Sequence, residues 1–446
     1  MKPLSLSFGC LLLALSISVC RSASVKDEKI LQRLDKEYPS LYNLYTNLHA
    51  HPELSFMETN TAALVARELK GLGFQVTEKV GNTGVVGVMT NGEGPTVLVR
   101  ADMDGLPIRE ESGVSYASRE VVKDLSGKEQ PSMHGCAHDT HVTGLIGTAR
   151  LLTHFKDRWS GTLVMIAQPA EEIGAGARAM LADGLYTRFP KPDYALALHT
   201  TSSLPAGVVG YGEGPVYASV SSMDILVRGV GGHGSRPNTT KDPIVLASQM
   251  VLALQTIVSR EIKPGTTAVV TVGTIQGGRK RNIISDEVKL ELTLRAFDEK
   301  VMAQLVASIK RICAGLAQAA GVPDDRMPVV SLTPESTPVT DNNPALARRM
   351  MTVFQAWFGA ERVRVEPPTT GGEDFSQYGR TPHRVPIFIW WVGATDPSKF
   401  AESERTGIPV PSNHSPTFAP IPEPTLKTCV SSMTAAVLEL MSPTGK

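Results

Sequence analysis

The chain has 446 residues, of which 42% are hydrophobic and 20% charged, and it contains 39 glycines and 31 prolines. This length favours two domains over one, and the composition excludes disorder, a fibre and a coiled coil. Lysine plus arginine balance aspartate plus glutamate at 44 each, so the net basic charge typical of nucleic-acid binding is absent. High glycine and proline content favours an α/β or α+β protein with many tight turns.

The first residues have the pattern of an export signal. Lys2 precedes an apolar run from 4 to 19, and small residues then follow at the spacing that signal peptidase recognises. The run is too short and too rich in serine for a membrane span of about 20 apolar residues. We therefore predict a signal peptide over 1–22 and an exported protein, periplasmic or secreted, without stable membrane insertion after cleavage. The alternative is an uncleaved N-terminal anchor.

The cysteines remaining after the signal are odd in number. They are Cys136, Cys313 and Cys429, so at least one thiol stays free even where disulfides form. Cys313 and Cys429 lie in helical patterns, which predicts buried small hydrophobes. Cys136 alone has chemically active neighbours.

The segment 26–216 alternates between helical and buried-strand patterns. Helices are predicted at 27–45, 58–71 and 142–154, and strands at 85–88, 96–99, 163–167 and 194–198. Such alternation predicts a mixed sheet covered by helices on both faces, with functional residues at the strand ends.

The pattern changes near residue 217. Strands at 223–228, 267–274, 288–295 and 328–332 are interleaved with helices at 242–258 and 300–319. This order predicts a ferredoxin-like α+β sandwich. A helix at 345–358 and a buried strand at 385–392 then resume the first pattern. We therefore predict a lid domain, 217–334, inserted into an α/β catalytic domain made of 26–216 and 335–446.

The segment Met133–His141 is the strongest chemical motif. It places a thiol, three imidazoles and a carboxylate just before a helix. The spacing of Cys136 and His138 puts both on one side of an extended segment, where both reach one ion. A redox cysteine or capping histidines are the alternatives, but the density of the motif favours metal binding.

Two adjacent carboxylates, Glu171 and Glu172, follow the predicted strand at 163–167. One can bind metal while the other takes a proton from water, a division of labour typical of hydrolytic sites. The alternative is a pair of acids in the first turn of a helix. The metal motif favours the catalytic interpretation.

Two isolated histidines complete a candidate ligand set. His199 ends the predicted strand at 194–198, where a histidine is more often a core residue, and His414 lies in a proline-rich loop. If both converge on the first motif, the ligands are Cys136, His138, Glu172, His199 and His414. Five such ligands fit two divalent ions about 3.5–4 Å apart, with Cys136 as the natural bridge.

Two acidic pairs are left outside this set. Asp102 and Asp104 close the strand at 96–99, and we expect them to orient a ligand imidazole rather than bind metal. Glu373 and Asp374 follow two glycines, and their pattern leaves a substrate-pocket, structural or metal role open.

The order of motifs resembles that of the hippurate hydrolase and auxin-conjugate amidohydrolase branch of the aminoacylase and carboxypeptidase metallohydrolase superfamily. The matching segments span about 51–420 and are His51-Pro52-Glu53-Leu54-Ser55, Arg100-Ala101-Asp102-Met103-Asp104, Met133-His134-Gly135-Cys136-Ala137-His138-Asp139, Ala170-Glu171-Glu172, Gly231-Gly232-His233-Gly234, Arg281-Asn282-Ile283-Ile284, Gly372-Glu373-Asp374-Phe375 and His414-Ser415-Pro416.

The resemblance implies a catalytic domain that carries a metal pair, an inserted lid domain and the five ligands named above. It implies Glu171 as general base and later acid, in attack of a metal-bound hydroxide on an amide carbonyl. In the lid it implies His233 as a catalytic residue that stabilises the oxyanion, with Asn282 and Arg295 as substrate-binding residues. Arg295 has the geometry to clamp a carboxylate.

The chain departs from the family pattern at small residues. Gly135 and Ala137 stand where the family usually has alanine and glycine. Near His233, two usual alanines and a histidine are replaced by Gly234, Ser235 and Asn238. These changes keep the ligands and bear on the substrate contacts of the lid.

The sequence therefore predicts a metal-dependent amidohydrolase whose small-molecule substrate is an N-acyl or N-aroyl amino acid. A metallo-carboxypeptidase or dipeptidase on the same scaffold is the alternative. An inactive binding protein is disfavoured because Glu171 and every ligand are present, and a redox protein would need a second cysteine near Cys136. Zinc or manganese is expected, with cobalt or nickel also compatible. The exposed helix pair of the lid suggests a homodimer.

Overall fold

The structure is a computed structural model that describes residues 26–443. The predicted signal peptide at 1–22 lies outside the described residues. The α-helices are α1 (Glu28–Ala50), α2 (Thr59–Gly71), α3 (His138–His154), α4 (Gly176–Ala182), α5 (Pro243–Thr256), α6 (Glu299–Ala319), α7 (Pro344–Phe358), α8 (Ser376–Gly379), α9 (Pro397–Thr406) and α10 (Pro422–Met441).

The strands form one large sheet, one sheet of four strands and several short pairs. They are β1 (Gln75–Val80), β2 (Gly84–Asn91), β3 (Thr96–Asp102), β4 (Val121–Lys123), β5 (Glu129–Pro131), β6 (Gly161–Gln168), β7 (Tyr194–Pro205), β8 (Val209–Tyr211), β9 (Gly214–Tyr217), β10 (Ser219–Arg228), β11 (Gly232–His233), β12 (Ala268–Gly277), β13 (Ile283–Ile284), β14 (Glu287–Ala296), β15 (Val329–Thr337), β16 (Thr340–Asn342), β17 (Val363–Val365) and β18 (Ile387–Thr395).

The large sheet is mixed and has the order β1-β2-β6-β3-β7-β18-β8-β17. Its centre, from β6 through β3 and β7 to β18, is parallel, whereas β1 and β2 extend it in antiparallel fashion. Central parallel strands are apolar throughout because both of their faces are covered. All nine residues of β18 are buried, as this rule requires.

Each face of the large sheet has its own core. Val97 and Val99 of β3 pack with residues of α1, α2, α3, α7 and α10, whereas Leu98 packs with residues of α4 and α8. Successive side chains of a strand point to opposite faces, so one strand supplies both cores. The predicted α/β class, with a mixed sheet and helices on both faces, is confirmed.

The second sheet is antiparallel and has the order β12-β14-β10-β15. Residues of α5 and α6 pack on its buried face in a separate core that includes Met223, Leu290 and Cys313. With β10-α5-β12-β14-α6-β15 along the chain, this is the ferredoxin-like order that the sequence predicts. These elements cover 219–337, and the division into domains at 217 and 334 stays a prediction.

Some boundaries differ from the sequence prediction. The predicted helix at 27–45 runs on to Ala50, because Leu48 and His49 continue its buried face. The predicted helix at 242–258 ends in a π-helical turn, Ile257–Glu261. Strand β1 was not predicted, because its largely exposed residues carry no apolar pattern.

Candidate active site

The candidate site lies where the central strands of the large sheet end. Asp102 is the last residue of β3, Glu171 and Glu172 follow β6, and His199 lies within β7. Because neighbouring parallel strands end at the same edge, segments distant in sequence meet there. We call the five predicted ligands, Cys136, His138, Glu172, His199 and His414, the ligand cluster.

The first motif reaches the site through a left-handed turn. Ala137 has a φ of 64° and a ψ of 31°, and His138 is the first residue of α3. The prediction of an extended segment was wrong, since the backbone reversal at Ala137 brings Cys136 and His138 together. A left-handed alanine costs about 1–2 kcal/mol. Its methyl group packs with Ala394 and Phe418, which offsets part of that cost.

The ligand cluster forms two groups that share Cys136. In the first, Cys136 Sγ lies 3.4 Å from His199 Nε2, and His138 offers a ring nitrogen within 4.8 Å of both. In the second, Cys136 Sγ lies 3.1 Å from His414 Nε2, which lies 3.6 Å from Glu172 Oε2. The thiol thus lies between the groups, where a bridging ligand would lie. Its role as a ligand stays a prediction.

Two buried polar atoms face each other between these groups. His138 Nε2 and Glu172 Oε1 lie 3.8 Å apart, and neither has a hydrogen-bond partner among the described residues. Buried polar atoms are otherwise almost always paired. Imidazole, carboxylate and thiolate are the donors that zinc and related ions prefer. The residues present therefore fit a pair of divalent cations.

The protonation states of two histidines of the ligand cluster, His199 and His414, also fit cation binding. The pKa of the third, His138, is raised, because the carboxylates of Asp102 and Asp104 outweigh the lowering by burial. Burial lowers the pKa of His199 well below its ordinary value, and His141 lowers it further. Burial, followed by the charge of His138, lowers the pKa of His414. A neutral imidazole keeps the lone pair that a metal ligand needs.

Glu171 has the environment of a proton carrier. Burial raises its pKa well above the ordinary value, and the carboxylates of Glu373 and Glu172 raise it further. A carboxyl group tuned upward in this way can accept and return a proton near neutral pH. Its Oε2 lies 4.0 Å from His138 Nε2, so this proton carrier lies at the ligand cluster.

Asp104 holds three parts of the site together. Its carboxylate accepts hydrogen bonds from the backbone N–H groups of Glu171 and Glu172, both at 3.1 Å, and from the Ser55 hydroxyl at 2.6 Å. Its Oδ1 also lies 3.3 Å from His138 Nδ1. This is the orienting contact with a ligand imidazole that the sequence suggests.

Asp102 serves a different histidine. It accepts from Nδ1 of His141, whose Nε2 accepts from the backbone N–H of Thr200 at 2.8 Å. Both ring nitrogens of His141 are therefore in use. These two bonds leave neither ring nitrogen of His141 free to bind an ion.

Arg100 is buried and pairs with three carboxylates. Its guanidinium lies 2.6 Å from Asp102, 2.8 Å from Glu373 and 3.1 Å from Asp374. The structure therefore gives Glu373 and Asp374 a structural role, as partners of a buried cation. Such a network must be complete, since one missing partner leaves an uncompensated buried charge.

One buried cluster beside the site was missed in the sequence. His49 Nδ1 lies 2.6 Å from Asp139 Oδ2, and His49 Nε2 lies 2.9 Å from Glu110 Oε1. The side chains of all three are fully buried. A usable signal existed for His49, because it continues the apolar face of α1. Glu110 lies in a loop where no pattern marks it.

A cavity of about 910 Å³ opens onto the ligand cluster. Glu171, Cys136 and His414 line it from loops at the edge of the large sheet, and Arg295 lines it from β14. Arg295 is half-buried, and burial lowers its pKa. In the described part of the chain no ion pair is found for it. The predicted carboxylate clamp therefore lies at the cavity with the candidate catalytic groups.

The two other residues of the predicted lid lie elsewhere. His233 is on β11 and Asn282 directly precedes β13, and both are exposed. Neither is among the described residues that line the cavity. His233 Nδ1 instead bonds the hydroxyl of Ser235 at 2.8 Å. The structure thus brings Arg295 to the site and leaves the roles of His233 and Asn282 as predictions.

Comparison with known proteins adds to this geometry. The profile of "Peptidase family M20/M25/M40" matches residues 98–408, which is more than two thirds of the chain. The chain belongs to peptidase family M20/M25/M40. Thermostable carboxypeptidase 2 of Saccharolobus solfataricus is a 36% identical relative, aligned over 83% of this chain and 88% of its own.

Another relative of this M20 protein is hippurate hydrolase of Campylobacter jejuni, which is 37% identical over 74% of this chain and 82% of its own. A solved structure, the Bacillus subtilis YXEP protein described as a dinuclear metal binding peptidase from the M20 family, matches with a TM-score of 0.71 at 27% identity. It covers 93% of this chain and 99% of that one. The predicted amidohydrolase branch is confirmed, and the protein is a metal-dependent hydrolase of amide or peptide bonds.

Proposed function

We propose that this M20 hydrolase cleaves the amide bond of N-acyl or N-aroyl amino acids. The observation that carries the proposal is the placement of Arg295. This half-buried guanidinium without an ion pair in the described chain lines the same cavity as Glu171 and the ligand cluster. A guanidinium matches a carboxylate in geometry and charge. The 37% identity to a hippurate hydrolase supports this substrate class.

The side chains divide the reaction among themselves. When bound, two divalent ions would polarise the amide carbonyl and lower the pKa of water. Cys136, His138, Glu172, His199 and His414 would hold those ions. Glu171 takes the proton of the attacking water and returns it to the leaving nitrogen, while its backbone is fixed by Asp104. Arg295 binds the α-carboxylate and so fixes the amide in front of Glu171.

The lid residues complete the proposal. His233 stabilises the oxyanion and Asn282 contacts the substrate carboxylate, as the family resemblance implies. Because neither lines the cavity in this chain, their participation requires movement of the lid or a residue from a second copy.

A carboxypeptidase or dipeptidase activity is the second candidate, favoured by the relative named thermostable carboxypeptidase. Three substrates separate the candidates: N-benzoylglycine, its C-terminal carboxamide and glycylglycine. We expect the first to be hydrolysed and the carboxamide to react at least about ten-fold more slowly, because it lacks the charge that Arg295 binds. Faster hydrolysis of glycylglycine than of N-benzoylglycine would favour the dipeptidase. Equal rates for N-benzoylglycine and its carboxamide would show that Arg295 does not bind the substrate carboxylate.

We further propose that the ions are zinc or manganese, with cobalt or nickel as compatible substitutes. The mixed thiolate, imidazole and carboxylate set supports zinc. Elemental analysis of purified protein gives the number and identity of the ions. Two ions per chain are expected. A ratio of one ion per chain at saturating metal would contradict the proposal that Cys136 is shared by two ions.

The exposed side of the lid supports a homodimer. The helical stretch Pro243–Glu261 has the length and the apolar composition that could cross a membrane. In the structure it covers the lid sheet and leaves Leu252 73% exposed. Strand β12 forms an edge of that sheet within the described residues, and an unpaired edge is a template for a second chain. Sedimentation analysis should show a dimer that Leu252→Glu weakens, whereas a monomeric wild type would contradict it.

We also propose export to the periplasm or the exterior, on the strength of the apolar run between 4 and 19. Mass spectrometry of the protein from its native cells gives the mature N-terminus. A terminus near residue 23 is expected, and an intact Met1 would indicate the uncleaved anchor.

A further inference from the structure

Strand β7 has a neighbouring strand on only one side where it reaches the ligand cluster. β3 pairs with β7 as far as Ala197, whereas β18 continues beside it to Pro205. The part of β7 that follows Ala197 therefore has a second edge with no strand beside it among the described residues. Thr200 and Ser202 lie in this part and are buried, so their backbone groups need hydrogen-bond partners from outside the sheet.

The side chain of Asn413 takes the place of the missing strand. Its Nδ2 donates to the Thr200 carbonyl at 2.9 Å, and its Oδ1 accepts from the Ser202 N–H at 2.9 Å. A residue of a neighbouring parallel strand would bond to these same two backbone groups. The backbone N–H of Asn413 also donates to the Ser202 hydroxyl at 3.3 Å. Both the side chain and the backbone of Asn413 are therefore bonded to β7.

Asn413 connects two of the predicted ligands. It directly precedes His414 in the chain, and the Thr200 carbonyl to which it donates also accepts from His199 Nδ1 at 2.9 Å. A carbonyl can only accept, so Nδ1 of His199 carries the proton and Nε2 keeps its lone pair. This Nε2 lies 3.4 Å from Cys136 Sγ. One backbone carbonyl thus orients the ring of His199 and also fixes the residue before His414.

The loop that carries His414 needs this connection because most of it is exposed. The residues from 407 to 412 lie largely in solvent, and Ile408 is 70% exposed. His414 itself has a φ of 68°, a left-handed conformation that a non-glycine residue keeps only when its surroundings hold it. Its N–H donates to the Gly135 carbonyl at 2.8 Å. Asn413 adds the contact that holds the loop against β7.

We infer that Asn413 is a positioning residue for the metal pair, which holds His414 at a fixed distance from His199 by replacing a strand beside β7. This inference rests on the ligands of the proposed function. Asn413 also lines the cavity, but both polar atoms of its side chain bond to β7, so it acts through His414. Loss of the carboxamide should weaken the ion held by the second group of the ligand cluster, which contains His414. The ion held by the first group, which contains His199, should be nearly unaffected.

The test measures the zinc dissociation constants by competition with a chromogenic chelator, with the zinc content determined on the same samples. The wild type should bind two ions per chain. Asn413→Leu keeps the approximate size of the side chain and removes both of its polar atoms. We expect this variant to raise the Kd of one ion by about 10–100-fold, the usual effect of losing a group that orients a ligand, and to change the Kd of the other by less than about three-fold.

Two further variants keep the test decisive. Ser412→Ala changes an exposed side chain of the same loop and should keep both wild-type constants. Asn413→Ala removes the same polar atoms without adding a bulky group, so it serves if Asn413→Leu fails to fold. Two unchanged constants in the Asn413 variants, or two constants raised to the same extent as by a general loss of structure, overturn the inference alone. A wild type that binds fewer than two ions refutes the proposed ligand set as well.

Discussion

Two carboxylates outside the ligand cluster, Asp104 and Glu58, hold the backbone of the catalytic loop in place. Asp104 fixes the backbone of both catalytic-loop glutamates, and Glu58 fixes the residue just before them by accepting from the N–H of Ala170 at 2.8 Å. Ala170 has a φ of 50°, a left-handed conformation that a non-glycine residue keeps only when its surroundings hold it. The geometry of Glu171 thus depends on acids that touch no substrate.

The first prediction concerns Glu58 and pH. Burial, with the charge of Asp104, raises the pKa of Glu58 to about 7. A raised folded-state pKa means that its contribution to stability is complete below about pH 4.5 and is lost as pH rises through about 7. In the structure the Thr83 hydroxyl donates to Glu58 Oε2. Glu58→Gln cannot ionise, and its side-chain amide keeps a hydrogen bond with that hydroxyl, as the protonated acid would. We expect the wild type to lose about 3 kcal/mol more unfolding free energy than Glu58→Gln between pH 4.5 and pH 8.

Urea denaturation of both proteins across this range measures the difference. Glu404→Gln on the exposed side of α9 is the matched control, and its pH profile should follow the wild type. Parallel profiles for the wild type and Glu58→Gln would show that Glu58 does not titrate in this window.

At the scale of elements, the site depends on how three segments are joined. His49 near the end of α1 pairs with Asp139 at the start of α3 and with Glu110 in a loop. The next residue of that loop, Glu111, donates its N–H to the carbonyl of Pro416 at 2.7 Å, close to His414. One buried imidazole therefore connects the helix that carries His138 with the loop that carries His414.

The second prediction concerns this connection. His49→Gln removes the partner of two buried carboxylates, and breaking a buried ion pair costs about 3–5 kcal/mol. Urea denaturation at pH 7 measures this loss. The matched control is His51→Gln at the exposed end of the same helix, where the imidazole Nδ1 contacts only a backbone carbonyl. Its cost should stay within about 0.5 kcal/mol, and equal costs for the two variants would contradict the role of His49.

The regular elements could be predicted from the sequence, whereas the tertiary contacts could not. The helices and strands from 223 to 332 carry clear 3.6- and 2-residue periods, so their order alone indicated a ferredoxin-like sheet. The turn at Ala137 could not be foreseen, because alanine seldom adopts a positive φ. The pairing of Arg100 with Glu373 and of His49 with Glu110 joins residues far apart in sequence, and no local pattern encodes such pairs.

At the scale of the whole molecule, metal binding and folding should be coupled. The ligand cluster draws on β7, the start of α3, the loop after β6 and the loop before α10, so cations would connect segments as far apart in sequence as Cys136 and His414. Ligands that bind only the folded state stabilise it by mass action.

The third prediction follows from this coupling. Saturating zinc should raise the thermal midpoint of the protein treated with chelator, since a ligand at 100 times its Kd adds about 2.7 kcal/mol. In Cys136→Ser the zinc-induced rise should be much smaller. Cys313→Ala in the separate core of the four-stranded sheet is the matched control, and it should keep the full rise whatever its basal midpoint. A rise of equal size in all three proteins would place the zinc elsewhere.

The role of Glu171 is decided by turnover of N-benzoylglycine by zinc-loaded wild type and Glu171→Gln, with metal content determined on the same samples. We expect two ions per chain in both proteins. In the variant we expect kcat to fall by about 10²–10⁴-fold, the usual contribution of a general acid–base group. A Glu171→Gln enzyme with both ions and wild-type turnover would contradict this role.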